Sequence, residues 1–416
     1  MTRDDETPPS YEELLVQLLG LLRRLPPPVR RKMEREVRDL LALLRDRRPP
    51  RFLLIGRRGS GKSTLLNAVF GQRVAEVGAV RAQTGAARWR RYEEDGRAVD
   101  ILDTRGVQEG GGPAEVMDAE TPRESIRQAV RESPPDAVIF LIKAKEVDSA
   151  VAGDLEALEG VLADLDRTHG GSTPLVAVLT QCDELDPPDV RRLPTDDATK
   201  NAHIQQAEEV LREHIEGRPA LAPRLVRVVP TVAYARYRAD GSIDPERDYR
   251  WQIDALVGFV LDELPDDAKL DFARLARVRR YQKQVAQRVV SVCAGVAGGI
   301  GAQPIPLADM PILTTLQALM VTAVAYVAGR DLTAAAARDF LVSLGVVGPA
   351  ALGFRGMARG LVKLVPGFGH AVSGAVAASG TLLVGRAAIA YFIDDAPVAQ
   401  ARRMLRKRRT PAGEPD

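Results

Sequence analysis

The eight residues from Gly56 to Ser63, GRRGSGKS, constrain this chain more than any other feature. They fit the spacing G-x-x-x-x-G-K-[ST]. They follow the apolar run Phe52-Leu53-Leu54-Ile55 and lead into the helix-prone Ser63-Thr64-Leu65-Leu66-Asn67. A strand, a glycine turn and a helix in that order place successive backbone N–H groups around a polyphosphate. Glycines allow the close approach this needs. Gly56, Gly59, Ser60, Gly61 and Thr64 form the cradle. Lys62 neutralises the outer phosphates, the Ser63 hydroxyl suits Mg²⁺, and the helix N-terminus adds partial positive charge. A glycine-rich turn with an incidental Lys-Ser pair is the bland alternative, and the strand–loop–helix setting speaks against it.

A chain of 416 residues is long for one domain. Residues 51–265 alternate strands and helices, so we expect an α/β P-loop fold, a mainly parallel sheet with helices on both faces. The strands are expected near Arg51–Ile55, Ala86–Tyr92, Ala98–Asp103, Ala137–Ile142, Leu175–Thr180 and Leu225–Val229. Glu94-Asp95-Gly96 joins the second to the third as a hairpin, the one antiparallel pair. Asp186–Asp197, rich in Pro and Asp, is a loop. Residues 1–50 carry leucines at helical spacing on both sides of Pro26-Pro27-Pro28 and form an N-terminal helical hairpin. Residues 266–290 are a basic helical connector. Residues 291–394 form an all-helical, Gly/Ala-rich domain, and residues 395–416 a basic tail.

Further motifs follow the loop in order. Asp103-Thr104-Arg105-Gly106 closes the third strand as D-x-x-G, with Asp103 toward the metal and the Gly106 N–H toward a γ-phosphate. Thr84 lies in the polar stretch before it, where its hydroxyl completes the metal shell of Ser63 and Asp103. Thr180-Gln181-Cys182-Asp183 follows the fifth strand. The Asp183 carboxylate can accept from the N1–H and N2–H₂ edge of guanine, a donor pair adenine lacks. An acidic loop residue beside Glu184 and Asp186 is the bland reading of the same position. After the sixth strand, Pro230-Thr231-Val232-Ala233 offers the Ala233 N–H to guanine O6.

Taken together, GRRGSGKS, Thr84, DTRG, TQCD and PTVA resemble the Era-like branch of translation-factor-related GTPases, over about half the chain. The resemblance implies GTP or GDP as ligand, Mg²⁺ as cofactor and slow GTP hydrolysis, a switch's behaviour. Lys62 and Thr84 would be catalytic. Two positions depart from the pattern. The base motif has Thr180 and Gln181 where N-K-x-D is usual, so a cation is lost. Val107 stands where Ras-like proteins carry a water-positioning Gln. Arg58, or else Arg105, is offered as an internal arginine finger, against the simpler reading of a solvated arginine.

The late region changes character. Met310–Gly329 and Leu364–Gly385 have no charged residue, and each is about as long as a helix spanning a hydrocarbon core. Pro304-Ile305-Pro306 with Asp309 and Gln317 resembles a hydrophobic helical domain of unknown function that follows Era-like GTPases in many bacteria. Membrane lipids are the expected partner, with an even number of crossings or a re-entrant hairpin, since basic residues flank both sides. A soluble bundle is the competing reading. A homodimer or an effector protein is a further partner class.

Net charge of +2 gives no general case for nucleic acid, and none is expected. Cys182 and Cys293 lie far apart and suggest no disulfide framework, and Met1–Thr7 lacks a signal-peptide layout, which points to a reducing compartment and a cytoplasmic start. Together with the hydrophobic domain that the resemblance implies, the expected location is the cytoplasmic face of a bacterial inner membrane, integral or peripheral, and otherwise the cytoplasm. The alternatives are a soluble Era-like assembly GTPase acting on RNA or ribosomes, and a P-loop ATPase.

Overall fold

The computed structural model describes residues 47–73, 89–94, 97–103, 122–149, 151–170, 172–301, 309–330, 334–344 and 369–406, with scattered positions between 20 and 38. The chain divides into two compact units, Arg48–Val278 and a second made of Met1–Arg47 with Arg279–Asp416.

The first unit is built on a six-stranded sheet of order β2-β3-β1-β4-β5-β6. Its strands are β1 (Arg51–Ile55), β2 (Trp89–Glu94), β3 (Arg97–Asp103), β4 (Ala137–Lys143), β5 (Leu175–Thr180) and β6 (Leu225–Pro230). All neighbours are parallel except β2 and β3, the expected hairpin. The Asp95-Gly96 turn itself lies outside the described residues, as do residues 86–88 at the expected start of the second strand. The central strands are apolar on both faces, as sheets covered on both sides require. Residues two apart share a face. Leu53, Ile55, Val138, Phe140 and Ile142 therefore enter one core with α2 (Pro122–Glu132), α3 (Val151–His169) and α4 (Ala198–Glu216). Phe52, Leu54 and Ile139 face the other way. With α1 (Lys62–Phe70), α5 (Ile253–Glu263) and α6 (Asp266–Leu275) they line an apolar pocket.

Arg48 fastens the entry to β1. Its guanidinium donates to both Asp136 carboxylate oxygens, at 2.8 and 2.6 Å, and to Asp267 at 2.9 Å. Asp136 also accepts from the Arg51 N–H at 2.8 Å. A two-oxygen pairing of this kind fixes direction as well as distance.

Two features of this unit differ from the sequence reading. A second, two-stranded sheet, β7 (Ala235–Tyr237) with β8 (Ile243–Asp248), follows the main one. Its turn holds Asp240-Gly241, with Gly241 at φ +80°. Residues 266–290 are not one basic connector. The chain turns at Arg277, which has φ +53°, and the unit boundary falls right after it. Arg274, within that stretch, is buried and donates to Asp271 at 3.2 Å.

The second unit holds α7 (Arg279–Gly301), α8 (Asp309–Val327), α9 (Ala334–Ser343), α10 (Gly369–Phe392) and α11 (Val398–Arg406). α7 packs along α10, and α8 packs on both. The contact is close because it is built from small residues. A Cβ on Gly385 would stand 2.4 Å from Val290, and one on Gly298 would stand 3.3 Å from Ala378. Two amides hold the helices in register: Gln282 donates to the Val327 carbonyl at 3.0 Å, and Gln317 to the Thr381 hydroxyl at 3.3 Å. Asp395 accepts from Arg279 and Arg330, at 2.6 and 2.7 Å, and ties the ends of the bundle.

The described parts of the two charge-free stretches fall on α8 and α10; residues 364–368 lie outside the described residues. Among the described residues one helix, Gly374–Phe392, is long and apolar enough to cross a membrane, and 44% of its most apolar window is buried against the unit's own helices. The apolar part of α8, Leu313–Val327, is shorter and largely buried.

Candidate nucleotide-binding site

The C-terminal ends of β1, β4 and β5 meet at the loop from Gly56 to Ser63, and β6 ends beside β5. In open α/β sheets this is the edge where ligands bind. Gly56 is there for lack of room: a Cβ would lie 2.4 Å from the Leu141 carbonyl oxygen and 2.7 Å from the Ser60 hydroxyl. Gly59 (φ +79°) and Gly61 (φ +94°) take the left-handed conformation that turns the chain into α1. No side chain caps α1 at Gly61. The first N–H groups of a helix have no partner within it, so this end is open to an anion. The Ser60 hydroxyl is buried and has no hydrogen-bond partner. Lys62 folds back, its ammonium donating to the carbonyls of Gly56 and, at 3.0 Å, Arg57. Ser63 and Thr64 are half-buried in the first turn of α1. Cradle, open helix end and inward lysine together fit a phosphate chain.

For the expected Mg²⁺, β3 runs beside β1 with Asp103 opposite Leu54. The backbone of Asp103 therefore ends level with the start of the loop that carries Ser63. Thr84, Arg105, Gly106 and Val107 lie outside the described residues. Among the described residues no cluster of three His, Cys, Asp or Glu could hold a metal by itself. A hard cation on one hydroxyl, one carboxylate and ligand phosphates needs no such cluster.

The Thr180–Asp183 motif is tied directly to the loop from Gly56 to Ser63. Thr180 is buried, and its hydroxyl donates to the Ser60 carbonyl at 2.8 Å, with the Ile142 carbonyl at 3.2 Å. Gln181 has φ +58°, and its amide donates to the Gly59 carbonyl at 3.0 Å. The two departures from the usual motif thus both make bonds to the loop. Burial holds the Asp183 carboxyl above the ordinary carboxylate range, with Glu184 adding to the effect. Lys200 on α4, fully buried, is a residue that sequence reading missed. Its ammonium donates to the carbonyls of Asp183 (2.7 Å), Leu185 and Pro187 (3.3 Å) and shapes the loop that presents Asp183. Burial pushes its own pKa down.

On the β6 side, Thr231 N–H donates to Leu179 O at 2.7 Å, and Val232 exchanges backbone bonds with Trp251 at 3.2 and 2.9 Å. The Val232 N–H is thereby committed, and Ala233, next along, is buried.

Arg58 is exposed. Its neighbour Arg57, which sequence reading passed over, donates to Asp154 on α3 at 2.7 Å. Asp154 is buried, and that burial raises its pKa against the pull of Arg57. No sequence signal announces this pair, because 97 residues separate its members.

Residues 51–180 match the family model described as 50S ribosome-binding GTPase. GTPase Der of Chloroflexus aurantiacus is 32% identical over 138 residues, covering 32% of this chain and 28% of Der. GTPase Era of Lactobacillus delbrueckii subsp. bulgaricus is 31% identical over 134 residues, covering 32% of this chain and 39% of Era. The chain thus spans less than two fifths of the length of these curated relatives. Among solved structures, Arabidopsis thaliana Toc33 with Mg²⁺ and GMPPNP is 16% identical and covers 63% of this chain and 98% of its own, at a TM-score of 0.34. The bacterial dynamin GTPase LeoA from ETEC is 13% identical and covers 85% of this chain and 57% of its own, at 0.38. Scores this low carry no argument, and the assignment stands on the sequence matches and the loop geometry. On those grounds residues 51–180 of this chain are similar to the GTPases Der and Era and match the GTPase family model.

Proposed function

We propose that the protein is a guanine-nucleotide switch that binds GTP with Mg²⁺, hydrolyses it slowly, and acts at the cytoplasmic face of a bacterial membrane. The observation that carries the nucleotide reading is the pair of bonds from Thr180 and Gln181 to Ser60 and Gly59, which lock a base-reading loop onto a phosphate loop. In this reading the N–H groups from Gly59 to Thr64 hold the β-phosphate, and Lys62 leaves its carbonyl partners for the outer phosphates. Asp183 takes the guanine edge, with the Ala233 N–H at O6. Ser63, Asp103 and Thr84 hold the cation, which when bound neutralises charge developing on the phosphate oxygens. Gly106 reports the γ-phosphate, and Arg58 or Arg105 supplies positive charge to the transferring group. Valine at 107 cannot orient water by hydrogen bonding, so turnover is slow without a partner.

Membrane attachment rests on Gly374–Phe392, whose apolar length exceeds what the bundle buries, and on the exposed Arg402 and Arg403 beyond it. An apolar face bordered by cations suits an anionic lipid surface. The family description makes ribosomes the rival partner.

Two measurements test this reading. Single-turnover cleavage of GTP should require Mg²⁺ and fall to background in Lys62→Ala; metal-independent cleavage, or none at all, contradicts it. Fractionated cells should retain the protein in membranes. Recovery in the soluble fraction with ribosomes sinks the membrane half of the proposal and leaves the nucleotide half standing.

A further inference from the structure

Two parts of the loop are served differently. Lys62, in the first turn of α1, sets its ammonium against the carbonyls of Gly56 and Arg57. At Gly59, Gln181 brings an amide to the carbonyl, and an amide carries no charge. A cation is nevertheless present there. Lys143, the last residue of β4, pairs in register with Thr180 of β5. Its side chain turns onto the phosphate loop: both Cε and Nζ lie 3.6 Å from where a Cβ on Gly59 would stand. Glu146, in the single turn after β4, accepts from the ammonium at 2.9 Å. Both side chains are partly exposed, 28% for Lys143 and 36% for Glu146, so the pair is open to water and to an incoming anion.

We propose that Lys143 is a further nucleotide-binding residue, which supplies from β4 the positive charge that Gln181 does not bring to the Gly59 end of the site. Its ligand is the anionic nucleotide, and Glu146 is the partner that holds the ammonium in place until the nucleotide arrives. The sheet makes this possible. Parallel β4 and β5 end side by side, so a lysine one position before the base-reading glutamine, on the neighbouring strand, reaches the same loop residue. The proposal rests on the nucleotide reading above and assigns a residue that motif order does not reach.

The test is equilibrium binding of fluorescent GDP, at low and high salt, to the full chain and its variants. Lys143→Met should weaken GDP about tenfold at low salt and flatten the salt dependence, the mark of a lost charge. Preference for GDP over ADP, which belongs to Asp183, should not change. Lys143→Arg should keep most of the affinity. In the Lys143→Met background, Gln181→Lys should recover most of the loss, since it returns a cation to Gly59 by the other route. Glu146→Gln, which frees the ammonium without removing it, should tighten GDP about threefold and provides a readout should Lys143→Met fold poorly. Unchanged GDP affinity in both Lys143→Met and Glu146→Gln overturns the proposal, as does a loss that Gln181→Lys fails to repair. Wild-type protein that takes up no guanine nucleotide overturns the nucleotide reading itself, a distinct result.

Discussion

Glycine does opposite work in the two units. In the first, Gly56 clears space beside the Leu141 carbonyl, and Gly59 and Gly61 turn the backbone into α1. In the second, Gly298 and Gly385 sit within straight helices and let α7 and α10 approach. The first use spends conformational freedom on a site. The second is packing, in which the missing side chain is replaced by a neighbour's. Glycine-rich composition alone therefore says little about function; the backbone angle and what stands opposite decide.

The same substitution in each unit should break this comparison most sharply. Gly56→Ala forces a methyl group onto the Leu141 carbonyl, a contact backbone cannot absorb, and should weaken GDP binding by about 100-fold or more. Isothermal titration checks it, with circular dichroism confirming that the fold persists. Asp183→Asn should come next. It exchanges an acceptor pair for an acceptor and a donor, and should cut the preference for GDP over ADP by about 100-fold while sparing the affinity for the phosphates. Competition titrations read this directly. Gly385→Ala should cost about 1–3 kcal/mol of stability through its clash with Val290, and leave GDP affinity unaltered. Thermal melts and the same titration settle both halves.

The smallest effect is on pH. Because burial raises the Asp183 pKa, the carboxylate needed for guanine begins to protonate at a higher pH than an ordinary aspartate. GDP affinity should fall on acidification, starting above the usual carboxylate range, and Asp183→Asn should remove that slope. The sign for stability is the reverse. A buried acid with a raised pKa is penalised while ionised, so protonating it relieves the folded state.

The nucleotide half is legible because its chemistry is local. GRRGSGKS fixes a strand, a loop and a helix within a dozen residues, and five of the six strands of the main sheet read as short apolar runs. The β7–β8 hairpin carries a signal at Asp240-Gly241, the same dipeptide that marks the turn at Asp95-Gly96. Pro245, Arg247 and Asp248 nevertheless make β8 look like loop. What sequence reading missed is non-local. Lys200 reads as a surface lysine of an amphipathic helix until three carbonyls surround it. Arg57 meets Asp154, and Lys143 meets Gly59, only when parallel strands end side by side. In the helical unit, absence of charge over about 20 residues marks a core helix and a membrane helix equally. That is why α8 and α10 share a signature while α8 is the more deeply buried.

The central claim is that the proposed site at the ends of β1 and β5 distinguishes purines. Calorimetric titration of the purified full chain with GDP and then ADP, in Mg²⁺, measures this. One GDP should bind per chain, and ADP in about hundredfold excess should not displace it. Equal binding of the two nucleotides, or no heat from either, would contradict the assignment of Asp183 and with it the switch.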